Sequence, residues 1–334
     1  MFGTNNHIGI LAIGDVTTDA FIKLKDAHIE SKLNSDRSEL CIKYGEKIPY
    51  EEVTVIPGVG NSANISVCAT RLGVQSALLS CIGNDENGEM CLKSLKENGV
   101  NTKYIKTERE KLTNYHYVLC FGPDHTILVK HNEFEYNLPN IENVSWIYLS
   151  SLPSNSLSFH EEIVEYLKNH PETKLAFQPG TFQIKFGVEK LKDIYKNTEI
   201  FFSNIQEAED ILNIQTKDIL TLAKSIEKLG PKIVVISDNS NGAYMYQNEE
   251  LWHIPTYVNI TPPIDSTGAG DAFSGTFISA LILGKTPIEA LSWGPINAMS
   301  VVEYLGSQKG LLGREKIEEY LKNSPEGYKP TKIN

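Results

Sequence analysis

The chain has 334 residues, 41% hydrophobic and 22% charged, enough apolar matter for a sizeable folded core. Its formal charge of -11, from 31 Lys and Arg against 42 Asp and Glu, with no basic run longer than two residues, argues against a nucleic-acid backbone or an anionic membrane as partner. Cys41, Cys68, Cys81, Cys91 and Cys120 form no Cys-x-x-Cys pair, and neither a signal peptide nor a stretch of 18 apolar residues is found, so a reduced, cytoplasmic chain is expected.

The apolar run 8–13, followed by Gly14-Asp15, predicts a strand buried on both faces of a parallel sheet. Asp15, Thr17, Thr18 and Asp19 follow its carboxyl end, either as a solvated loop or where ligands gather in open parallel sheets. From 23 to 52 charges dominate and strand-like pieces are short (40–44, 53–56). A second strand-rich stretch comprises 114–121, a turn at 122–125, and 126–131. These excursions are expected to pair into a small β layer, usable as a lid or as a dimer surface. Helices are predicted at 61–72, 87–98, 156–168, 188–195, 206–212 and 217–229, and strands at 76–82, 146–149, 175–177, 200–203 and 233–237. This alternation implies crossover units and a parallel sheet covered on both faces. Two tail helices, 287–304 and 314–321, complete one α/β domain over 1–334, with a lid from inserted segments at about 15–57 and 110–135.

Gly58-Val59-Gly60-Asn61-Ser62-Ala63 fits Gly-x-Gly-x-x-Ala, the dinucleotide fingerprint. The acid required about 20 positions on would be Asp85, which falls in a turn, so the match is weak. No Walker-type phosphate loop occurs. More specific is Pro262-Pro-Ile-Asp265-Ser-Thr-Gly268-Ala269-Gly270-Asp271, which opens a helix whose Phe273, Phe277, Ala280 and Leu281 recur at helical spacing. Gly costs a helix about 1 kcal/mol relative to Ala, so glycines at a helix start suggest close approach of a ligand to unpaired N–H groups. The expected start is Gly268, capped by Ser266 or Thr267, with Asp271 one turn inside. The alternative is a flexible loop capped by Thr267, with Asp271 merely suiting the helix dipole.

The run Asp265 to Phe273 resembles the C-terminal signature of the ribokinase-like (PfkB-type) carbohydrate kinases. Gly14 to Asp19, Gly60-Asn-Ser-Ala-Asn64 with Arg71-Leu-Gly73, Gly83-x-Asp85-x-x-Gly88, Asn204-x-x-Glu207 and Gly306 follow the family's order. The resemblance implies a three-layer α/β/α fold with a mostly parallel central sheet and a β lid, and transfer of the γ-phosphoryl of ATP to a hydroxymethyl group of a sugar or, alternatively, a nucleoside. It implies Asp271 as general base, with the N–H groups of Gly268, Ala269 and Gly270 as the anion hole. Asp19, Gly60, Asn61 and Asn64 would hold the acceptor, and Asn204, Ser237, Asn239, Gly242, Gly268, Gly270 and Asn297 the nucleotide. Glu207 would hold Mg²⁺ through water, and Asp265 and Gly306 a monovalent cation, K⁺. A homodimer through the lid is also implied.

A first-turn carboxylate is expected to have a lowered pKa. Two departures from the pattern stand out. Val59 interrupts the usual paired glycines, and Asn239 replaces the middle glycine of a nucleotide-side turn, where Asn tolerates left-handed backbone angles. Tyr115, Tyr117, Phe121 and Phe134 serve equally to stack on a base or to fill the β layer. A ligand-binding protein on the same fold, without transfer, is the rival from another class; intact Gly268, Gly270 and Asp271 argue against it.

Overall fold

The computed structural model describes residues 7–31, 38–122, 124–141, 143–258 and 261–333. The first strand forms as expected: β1 (Ile8–Ile13) is buried at every residue. The polar stretch after it is not a loop. It becomes β2 (Thr17–Leu24), an inner strand of a second sheet, and its first five residues are buried. The short ribbon β3 (His28–Ser31) and β4 (Ser38–Cys41) follows, then β5 (Tyr50–Val59). β5 runs through Pro57, which it tolerates as an edge strand that needs no N–H on its free side.

Helix α1 (Asn61–Arg71), β6 (Ser76–Gly83) and α2 (Glu86–Glu97) match the periodicity within a residue or so. β7 (Ile105–Glu108) precedes the second excursion, β8 (Asn114–Phe121) and β9 (Asp124–Leu128). Regular alternation then gives β10 (Val144–Leu149), α3 (Leu157–Asn169) and β11 (Lys174–Phe177). The helix expected at 188–195 is instead two short ones, α4 (Thr181–Phe186) and α5 (Lys192–Asn197), because Gly187 turns the chain at φ 81°. β12 (Thr198–Asn204), α6 (Ile205–Leu212), α7 (Ile219–Glu227) and β13 (Ile233–Ser237) follow, then the hairpin β14 (Ala243–Gln247) and β15 (Glu250–Ile254), which was not foreseen. The chain ends with α8 (Ala269–Ile282), α9 (Pro287–Val301), α10 (Arg314–Lys322) and β16 (Thr331–Lys332).

The large sheet runs β16-β15-β14-β13-β12-β11-β10-β1-β6-β7, parallel from β13 to β7 and antiparallel beyond. One core packs α1, α8 and α9 on one face, with Ile65, Phe277 and Ile296 fully buried; another packs α3, α6 and α7 on the other, with Ile163, Ala208 and Leu222. Apolar almost all round, α8 is buried from Asp271 to Ala280 because it lies between α1 and α9.

The excursions meet in a second sheet, β5-β2-β8-β9, in which β2 pairs with β8 in parallel and Asp19 stands beside His116. Since the order of the large sheet reverses around β1, the carboxyl ends of β1, β10, β11 and β12 frame a crevice. The second sheet contributes to its wall. Among the described residues no helix is long and apolar enough to cross a membrane.

Candidate active site

Helix α8 begins at Ala269, with Gly268 as its cap at φ 81° and ψ 2°. Neither Ser266 nor Thr267 caps it, and the Thr267 hydroxyl donates instead to Asp265 Oδ1 (2.7 Å). A side chain on Gly268 would press within 2.7 Å of the Ser307 Cα, so glycine is required there by space as well as by φ. The Ala269 N–H is already engaged, donating to the Ser266 carbonyl (3.3 Å). Those of Gly268 and Gly270 find no acceptor among the described residues.

Asp271, in the first turn of α8, is 5% exposed. Three amides converge on its carboxylate: Asn61 Nδ2 donates to Oδ1 (2.9 Å), Asn64 Nδ2 to Oδ2 (2.7 Å) and Gln178 Nε2 to Oδ1 (3.4 Å). Asn64 and Gln178 are oriented from behind. Ser307 Oγ and Gln308 Nε2 donate to Asn64 Oδ1 (2.8 and 3.0 Å), which turns the Asn64 amine toward Asp271. The hydroxyls of Tyr148 and Ser274 do the same at Gln178 Oε1. The lowered pKa expected from the helix dipole is overturned: burial raises the Asp271 pKa, and the three amides offset that only in part.

Two cavities share Asp271 as a wall, together with Asn61, Gln178, Glu207 and Gly268. One, of about 210 Å³, is lined by Ser203, Asn204, Ser237, Gly270 and Phe273. The other, of about 300 Å³, is lined by Asp15, Asp19, Gly60, Asn64, His116 and His131. Neither is lined by Lys or Arg among the described residues. A larger cavity, about 690 Å³, lies at the other end of the sheet beside Ile8, Gln75 and Lys103, and no carboxylate lines it among the described residues.

The remaining expected residues divide into those the fold gathers and those it does not. Asn204 and Glu207 form a capping box for α6, the Glu207 N–H donating to Asn204 Oδ1 (2.8 Å) and the Asn204 N–H to Glu207 Oε2 (2.9 Å), and both still line the smaller cavity. Burial, and secondarily the charge of Asp271, raise the Glu207 pKa. Gly306 and Asp265 lie together, the Gly306 N–H donating to Asp265 Oδ2 (2.8 Å). Asp265 also accepts from the Thr267 N–H (2.9 Å) and faces His125 Nδ1 at 3.6 Å.

Ser237 lines the smaller cavity, while Asn239 and Gly242 form the turn after it, Asn239 in the left-handed region at φ 44°. Asn297 is not gathered with them. It is fully buried between α8 and α9, donating to Thr276 Oγ1 (2.7 Å) and accepting from the Leu312 N–H (2.8 Å), and it lines neither cavity.

Gln178, His116 and His131 were missed. Gln178 follows β11 directly, so the carboxyl-end rule applied to Asp15 would have found it. Asp85, read only as part of a motif, caps α2 and accepts from the Thr113 N–H (3.0 Å), which fixes the entry to β8.

The profile described as "pfkB family carbohydrate kinase" matches residues 26–312. The chain belongs to the PfkB family of carbohydrate kinases. As such it is a phosphotransferase acting on an alcohol group. This kinase is 27% identical to the ribokinase of Bacillus subtilis over 84% of its own length and 92% of that protein's. To the nucleoside kinase of Methanocaldococcus jannaschii it is 26% identical over 83% and 91%. Its fold superposes on the structure of Arabidopsis thaliana ribokinase complexed with ribose and ATP at a TM-score of 0.78, with 18% identity, covering 95% of this chain and 99% of that one. The three-layer α/β/α architecture expected of the family is the one described above.

Proposed function

We propose that this kinase transfers the γ-phosphoryl of ATP to a hydroxymethyl group of an uncharged sugar, with Asp271 as the base. The observation that carries the proposal is Asp271's place as common wall of two cavities, beside the N–H groups that open α8. The smaller cavity would take the ATP phosphates and the larger one the acceptor. The acceptor oxygen bonds to the γ-phosphorus as the bond from that phosphorus to the bridging oxygen breaks, ADP leaves, and the hydroxyl proton passes to Asp271. The transition state is loose, so alignment and charge neutralisation carry most of the acceleration.

With no Lys or Arg lining either cavity among the described residues, neutralisation falls to the start of α8 and to a cation. Glu207 and Asn204 fit Mg²⁺, because two mutually repelling carboxylates, Glu207 and Asp271, face one space. When bound, Mg²⁺ would supply charge neutralisation to the phosphates. A monovalent cation at Asp265 and Gly306 rests only on their proximity, since three donors from Thr267 and Gly306 already engage that carboxylate.

A sugar is preferred over a nucleoside because none of Tyr115, Tyr117, Phe121 and Phe134 lines the larger cavity, and Phe134 is fully buried. The same carboxylate-rich wall disfavours sugar acids and sugar phosphates. ATP consumption across neutral sugars, sugar acids, sugar phosphates and nucleosides, in KCl and in tetramethylammonium chloride, tests all of this. Turnover is expected with a neutral sugar. Binding without turnover anywhere in the panel would overturn the transfer reading, and equal rates in both salts would remove the monovalent cation.

The second sheet is proposed to act as the lid of a single domain and as a dimer surface. Its outer face carries Val53, Val55, Tyr117 and Leu128, each 45–52% exposed on neighbouring strands. Light scattering at micromolar concentration is expected to give a dimer, and Val55→Lys a monomer; a monomeric unmodified chain would remove the interface.

A further inference from the structure

Four buried polar atoms with no hydrogen-bond partner among the described residues cluster at the larger cavity: Asp15 Oδ2, Asp19 Oδ1, His116 Nε2 and His131 Nδ1. Such atoms are rare in native interiors and call for an occupant. The four belong to two imidazole–carboxylate pairs. His116 Nδ1 approaches Asp19 Oδ1 at 3.3 Å, and His131 Nδ1 approaches Asp15 Oδ2 at 2.7 Å, in both cases off the direction of a hydrogen bond. The rings also meet edge to face, with centroids 5.5 Å apart.

Both aspartates follow β1, whereas both histidines arrive on the second excursion, more than 90 residues later. The excursion is anchored where it delivers them. Asn132 N–H donates to Asn114 Oδ1 (2.7 Å), joining the two ends of the β8–β9 arm, and the His131 ring packs edge-on against Phe182. On the far side of Asp15, the Tyr136 hydroxyl donates to Oδ1 (2.5 Å). Burial, and then the charge of Asp15, hold the Tyr136 pKa well above its usual value, so Tyr136 remains a donor and leaves Oδ2 to the cavity side.

We infer that His116 and His131 determine acceptor specificity, pairing with Asp19 and Asp15 to read ring hydroxyls of an uncharged acceptor. This rests on the kinase reading above. A hydroxyl both donates and accepts, so it can donate to a carboxylate oxygen and accept from the neighbouring imidazole N–H. Two such pairs would read two hydroxyls. An acceptor lacking one of them leaves a buried pair unmatched, which is the strongest way for a polar site to reject an analogue.

The test is steady-state kinetics of the full chain with D-ribose, D-fructose and adenosine, each beside an analogue lacking one ring hydroxyl. In His116→Ala and His131→Ala the KM for the preferred acceptor is expected to rise about 10- to 100-fold. KM for ATP should stay within about twofold, and the preference over the deoxy analogue should shrink toward unity. A purely structural role would not erase that preference. His116→Gln and His131→Gln keep an amide donor of similar reach and should recover part of it; they carry the test if the alanine variants melt early. Turnover by the unmodified chain with unchanged preference in all four variants overturns this inference alone. Absence of turnover with every acceptor overturns the kinase reading and this inference with it.

Discussion

Asp271→Asn is expected to lower kcat by about 10²- to 10⁴-fold, the usual contribution of a positioned general base, while KM for ATP changes by less than about threefold. The substitution removes the proton acceptor and keeps the shape, but Asn has one accepting oxygen where the carboxylate has two, so its amine must face either the Asn64 amine or those of Asn61 and Gln178. Two effects on stability oppose each other. A carboxyl whose folded pKa is raised above its unfolded value favours the fold in its protonated form, so ionisation costs stability as pH rises through the shifted range. At neutral pH the ionised Asp271 therefore costs stability; Asp271→Asn relieves that cost but leaves donor facing donor, so it should melt close to the unmodified temperature. The activity profile has the matching sign: the acid limb of kcat/KM should lie above the ordinary range of an aspartate, because turnover needs the ionised form. Lost turnover with a large loss of stability would make Asp271 a structural residue. Near-normal turnover would remove it from the mechanism.

Asp271 could be proposed as the base from sequence because the device is local. Gly268, Gly270 and Asp271 lie within one turn, and a glycine-rich helix start advertises itself through what it gives up in helix propensity. The shell around the base was harder to read. Asn61 and Asn64 are over 200 residues away from Asp271, and the resemblance suggested that they hold the acceptor. The structure spends both of their amines on the carboxylate.

The helix dipole gave the wrong sign for the Asp271 pKa, because a dipole can be seen in a segment and burial cannot. The 5% exposure of Asp271 comes from its surroundings in the fold, including α1 and the chain at Ser307, neither of which the segment reveals. The same difficulty hid β2. Thr17-Thr18-Asp19 reads as a polar loop until it pairs, as part of β2, with a strand about 100 positions later. Where strands are buried on both faces, as in β1 and β13, composition alone was enough. The pairing of the two excursions also followed from their shared character. Their delivery of two histidines to two aspartates did not, because parallel register is set by the whole sheet.

Gly270→Ala should raise stability and lower activity together, and that combination separates a ligand-driven glycine from a structural one. Gly270 occupies the second helical position of α8, is exposed, and has no atom within 4 Å of where a Cβ would stand. Its backbone shows no left-handed angle that would demand glycine. Alanine is favoured over glycine in a helix by up to about 1 kcal/mol, so the melting temperature should rise by about 1–3 °C. Nothing in the folded chain explains why the methyl is missing.

The proposed reaction does explain it: a phosphoryl oxygen has to come close to the Gly270 N–H, and a methyl on the adjoining carbon would hold it off. Loss of one such donor costs about 10²- to 10³-fold in kcat in comparable anion holes. Gly268→Ala cannot make this distinction, because φ 81° and the crowding against Ser307 would lower stability and activity alike. A Gly270→Ala protein that melts higher and turns over normally would mean that the transferring phosphoryl does not approach Gly270. The start of α8 would then serve only to bring Asp271 between the two cavities.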